Sequence, residues 1–162
     1  MAGHGFKALQ TFRGWSKEKN DFVYGSLISN PYWPSFPQII EFCDDGVGEH
    51  TFYADPKSIG IYTGKDDATR WEDRPDWLKR ISKEDWTGVP IFAGLPEDGN
   101  IGGDNVIFNV IQEDEKIIGE FVHKACNYFI HANGKMYYAN SAKNIEVIGT
   151  AYEQHLEEKK NV

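Results

Sequence analysis

The stretch IIGEFVHKACNYFIHANGKMYYAN, Ile117–Asn140, reads as a long strand, a two-residue turn at Asn133-Gly134 and a returning strand. Asn-Gly between apolar alternating runs favours a tight hairpin. Both central positions of that turn need positive φ, which these two residues adopt at the least cost. Working outward, VPIFAG (Val89–Gly94) and NVIFNVI (Asn105–Ile111) are strands before it, and IEVIGTAY (Ile145–Tyr152) is a strand after it. Five strands after Trp86, joined by short turns, suit a small SH3-like β-barrel. EQHLEEKK, Glu153–Lys160, closes the chain as a short polar helix or a frayed tail.

Upstream, DFVYGSLI (Asp21–Ile28) is a strand whose Gly25 suggests a bulge or a close backbone approach. With the shorter FRGWS before it, it makes a hairpin around Lys17–Asn20. QIIEFCDDG, EHTFYAD and KSIGIYTG supply further strands before Gly64. Between them and the barrel lies KDDATRWEDRPDWLKRISKEDWTG, Lys65–Gly88, charged and carrying three tryptophans. One or two helical turns are expected at Pro75–Ser82, since proline is tolerated in a first turn. The tryptophans are expected to anchor this section to the body. The fold class is therefore mainly β with minor short helices. Residues 1–64 form a small N-terminal β unit, 65–88 a connecting section and 89–162 the SH3-like barrel with its short C-terminal helix.

Of the 162 residues, 40% are hydrophobic and 14% aromatic, which is the composition of a globular chain. The net charge is −8, and the basic residues are dispersed among acids rather than clustered. Phosphate neutralisation needs clustered Lys and Arg, so nucleic acid is a disfavoured partner. No apolar run is long enough for a membrane helix, and MAGHGFKALQ lacks the pattern of a secretion signal. The expected compartment is the cytoplasm, where Cys43 and Cys126 would stay reduced and act as small buried hydrophobes.

His123, Cys126 and His131 are zinc-type ligands. On one continuous strand, however, Cys126 would face away from both histidines. Glu97, Asp98, Asn100 and Asp104 sit on a glycine-rich turn, but without the alternating ligand spacing of a calcium loop. No serine stands in an elbow motif, and no glycine cluster ends in the Lys-Ser/Thr of a phosphate loop. The expectation is a protein without catalytic residues, bound metal or cofactor. NPYWPSFP, Asn30–Pro37, offers Tyr32, Trp33 and Phe36 among prolines, as interface anchors or as a cover over the N-terminal core.

Four segments together resemble the YopX family of bacteriophages and prophages. FRGWSKEKNDFVYGSLI resembles its opening, and SIGIYTGKDD its T-V-G-Q-Y-T-G-L-x-D. GVPIFAG resembles its G-x-x-I-F-E-G-D, and EVIGTAYEQHLEE its closing E-V-I-G-N-I-Y-E-N-P-E-L-L. They occur in the family's order and span nearly the whole chain. Two departures stand out. The link from Thr63-Gly64 to Ile91-Phe92 is longer than in the family. Leu95 stands where an acid is expected, so either the turn carries an insertion or IGGD, Ile101–Asp104, takes over that role. The resemblance implies a two-part β structure with an SH3-like C-terminal barrel, in the host bacterial cytoplasm, and brings no catalytic residues. The functional expectation is a non-enzymatic accessory protein that contacts a host or phage protein. The alternative is a nucleic-acid-binding β-barrel module; self-association is left open.

Overall fold

A computed structural model of the chain describes residues 11–28, 37–41, 50–96 and 99–160. Tyr32, Trp33, Phe36 and Cys43 lie outside the described residues. Apolar alternation and aromatic content produce eleven strands among those described: β1 Phe12–Ser16, β2 Asp21–Ile28, β3 Gln38–Glu41, β4 His50–Tyr53, β5 Gly60–Asp66, β6 Pro90–Gly94, β7 Asp104–Val110, β8 Lys116–Lys124, β9 Asn127–Ala132, β10 Lys135–Tyr138 and β11 Ala142–Thr150. One helix, α1, spans Ala151–Lys160. The fold is mainly β, as the sequence implies. None of the described helices is long and apolar enough to cross a membrane.

All eleven strands belong to one sheet. Its main path is β10-β9-β8-β6-β5-β1-β2-β3-β4, and β7 pairs both β8 and β11. Separate sheets before Gly64 and after Val89 were expected, and the pairing of β5 with β6 corrects this: Gly60, Ile61 and Tyr62 lie opposite Gly94, Ala93 and Phe92. A parallel contact of Gly94 with Val122 then carries the sheet into β8. Two hydrophobic clusters exist, but their border is not the connecting section. Val23, Ile39, Ala54 and Ile59 form the smaller one. Ile61, from the N-terminal segment, belongs to the larger one with Ile91, Val106, Phe108, Phe121 and Ile130. Phe12 and Leu95 pack against both.

Ile117–Ala132 is not one strand. It folds back at Ala125-Cys126, both at positive φ (51° and 62°), and β8 pairs β9 with His123 opposite Tyr128 and Glu120 opposite His131. Neither turn residue is Gly, Asn or Asp. The turn is imposed by the registers on either side of it, against local preference. Six strands, not five, therefore follow Trp86, and Cys126 sits exposed at a turn rather than buried. Asn133-Gly134 turns as the sequence implies, with φ of 53° and 75°. In this half the order is β11-β7-β8-β9-β10, with a 3-10 turn at Ala139–Ser141 leading into the last strand.

The segments that looked like signatures meet at the centre. Arg13 of FRG is buried between the rings of Phe22 and Phe92, each centred 4.7 Å from its guanidinium. It pairs with Asp104 of IGGD at 2.8 Å, and both side chains are nearly fully buried, at 4% and 1% exposure. Asp104 also accepts the Phe92 N–H, and Arg13 donates to the Gly102 carbonyl. Glycine is required where Gly102 meets β5: a Cβ there would run into the Ile59 carbonyl, and one on Gly60 would come within 2.5 Å of the Gly102 oxygen.

Candidate functional site

The connecting section is stitched to the sheet chiefly by one carboxylate. Asp67 Oδ1 accepts the Thr69 and Val89 N–H groups, and Oδ2 accepts the Thr69 hydroxyl and the Val147 N–H. The Ala68 N–H donates to the Ile145 carbonyl. Of the three tryptophans, Trp77, 45% exposed, stacks on Tyr24 of β2 with centroids 5.0 Å apart, whereas Trp71 and Trp86 brace the section internally by donating to the Ile81 and Thr69 carbonyls within it. The expected turn forms at Asp76–Leu78, directly after Pro75.

These ties act on β11, whose pairing with β7 shifts register between Lys143 and Glu146 and again between Val147 and Gly149. The second irregularity turns Ile148 outward, 53% exposed, while Asp67 satisfies the Val147 N–H. On the same outer face Ile118 of β8, 59% exposed, lies opposite Ile107 of β7. The helix that borders this face is fixed by its own sequence. Thr150 accepts the Glu153 N–H and donates to the Glu153 carboxylate, a cap that satisfies an otherwise free helix-terminal donor. Tyr152 donates to Asp55 at 2.6 Å, Asn105 donates to Gln154 at 3.0 Å, and the Ala151 N–H donates to the Gly103 carbonyl.

Between α1 and the outer face of β7, β8 and β11 lies a cleft of about 540 Å³, which Ile118, Glu120, Ile148, Glu153 and Glu157 help to line. Its lining holds three carboxylates and no Lys or Arg. Glu153 is engaged in the helix cap, and Glu157 at the rim pairs with Lys160 at 3.6 Å. Glu120 differs from both: its Oε1 is buried without a hydrogen-bond partner, and burial pushes its carboxyl up to about 7. A second cleft of about 400 Å³ adjoins it, sharing Ile148, Gly149, Thr150 and Glu153, with Arg13 and Asp104 in its lining. That pair is already mutually engaged and holds the fold rather than facing a ligand.

Other residues with ligand-type side chains have structural duties. Asn100 accepts the Leu95 and Gly102 N–H groups and donates to the Pro56 carbonyl, while Glu97 and Asp98 lie outside the described residues. Among the described residues no group of three His, Cys, Asp or Glu side chains is placed to hold a metal. His123 and His131 lie on neighbouring strands of a hairpin rather than on the one continuous strand expected to carry both. Sequence reading did not find the cleft. One signal was present: Thr150-Ala151-Tyr152-Glu153 has the spacing of a capping box and marks where α1 begins. Nothing local marks Glu120 or Ile118, because their surroundings come from β7, β11 and α1. No family model, curated protein or solved structure matches the chain.

Proposed function

We propose that the protein is a non-enzymatic phage- or prophage-encoded accessory protein of the bacterial cytoplasm that works by contact with another protein. The observation that carries this reading is the outer face of β7, β8 and β11. There Ile118 and Ile148, each more than half exposed, flank a cleft of about 540 Å³. Exposed apolar side chains gathered beside a cleft with a polar rim are the anatomy of a docking surface. The cleft supplies carboxylates and apolar surface, which are the means of recognition. The phage origin rests on the four segments that resemble the YopX family. The same resemblance, with the order β11-β7-β8-β9-β10, supports reading the C-terminal half as an SH3-like barrel.

The test is affinity capture from host lysate, with and without nuclease, comparing wild type with Ile118→Glu. Capture of a protein that resists nuclease and is lost in the variant is the expected result. Capture abolished by nuclease would instead support the nucleic-acid-binding reading. An alanine variant of Tyr32, Trp33 and Phe36 forms a parallel arm for the proline-bounded aromatic segment.

A further inference from the structure

We infer that the cleft beside α1 receives a cationic segment of a partner protein, with an arginine or lysine on Glu120 and a neighbouring apolar side chain over Ile118 and Ile148. This rests on reading the cleft as a protein-contact surface. Charge selects the occupant. Glu120, Glu153 and Glu157 help to line the cleft, no Lys or Arg does, and the chain as a whole carries −8. An apolar anchor alone would cover Glu120 further without giving its carboxyl a partner, whereas a guanidinium or ammonium donor would supply one. The other polar groups are already committed: Asn105 to Gln154, and Glu153 to Thr150.

The same charges argue against two other occupants. A second copy docked about a two-fold axis on this face would bring three carboxylates against three carboxylates. A nucleic acid would bring phosphates to an acidic lining. A cation followed by an aliphatic residue matches both halves of the cleft. Its attraction is electrostatic in part and therefore falls with salt.

A random linear peptide library displayed on phage and panned on the full-length protein tests this, each enriched peptide being resynthesised and titrated by fluorescence anisotropy. The expected peptides carry Lys or Arg beside Leu, Ile, Val or Phe. Their affinity should fall about tenfold or more with Glu120→Gln. Replacing the peptide cation by norleucine should cause a similar loss, and combining the two changes should add little. Ile118→Ser should weaken the same peptides. Thermal melts of both variants, with Glu120→Gln at least as stable as wild type, separate lost binding from lost fold. Enrichment of acidic or uncharged peptides overturns the inference. So does enrichment of basic peptides indifferent to both variants, or of none. If lysate capture still depends on Ile118 in those cases, the protein-contact reading stands and only the choice of a cationic occupant fails. If that dependence is also missing, both fall.

Discussion

At the scale of single residues, a buried carboxyl and a half-buried one have opposite histories. Asp104 is matched: Arg13 and the Phe92 N–H hold it, although burial still pushes its carboxyl up. Removing one partner of such a pair leaves an uncompensated group in the core. Arg13→Met and Asp104→Leu should each lower unfolding free energy by about 3–5 kcal/mol in urea titrations, and the double variant by less than the sum. Additive losses would show that the two groups are not coupled. Glu120 is unmatched, and its folded-state carboxyl sits at about 7 against an ordinary 4.5, through burial. Between those values the folded chain binds the extra proton, so its stability contribution is full below about 4.5 and is lost as pH rises through about 7. Glu120→Gln removes that dependence. The melting temperature of the variant minus that of wild type should therefore be more positive at pH 8 than at pH 5. His131 across the β8–β9 pair, and Glu153 and Glu157 on α1, are unchanged in the variant. An equal difference at both pH values would refute the assignment.

At the scale of elements, the connecting section and α1 depend on small, identifiable contacts. Asp67→Ala would strand the buried Val89 N–H and the Val147 N–H on β11. It should cost about 2–5 kcal/mol, with faster amide exchange at Ile145–Gly149 than elsewhere in the sheet. Uniform exchange changes would show that Asp67 does not act through β11. Thr150→Ala removes the cap of α1 and should cost about 1 kcal/mol by chemical denaturation. Element type was largely legible because apolar alternation and turn chemistry are local: Asn133-Gly134 and the Lys17–Asn20 turn both lie where the residues imply. Ala125-Cys126 was illegible because the β8–β9 pairing forces positive φ on residues that do not favour it, so no local signal exists.

At the scale of the whole molecule, β5 belongs to the N-terminal segment by sequence and to the larger hydrophobic cluster by packing, through Ile61. Phe12 and Leu95 serve both clusters, and Tyr152 of α1 reaches Asp55 at the start of β5's approach. Such shared contacts join the two clusters, which are expected to unfold as one unit. Scanning calorimetry should therefore show a single transition whose calorimetric and van't Hoff enthalpies agree; two resolved transitions would restore independent domains. Residue order alone determined that this chain forms strands, where most of them turn, and that its middle is a charged, tryptophan-rich excursion, since these follow from side-chain periodicity and local φ/ψ preference. Tertiary structure alone decided that β5 joins β6, that the strand run from Ile117 folds back, and that Glu120 lies unpaired beside Ile118 and Ile148. Those outcomes depend on contacts between residues far apart in the chain, whose burial and desolvation are properties of the assembled neighbours and are not written in any one segment.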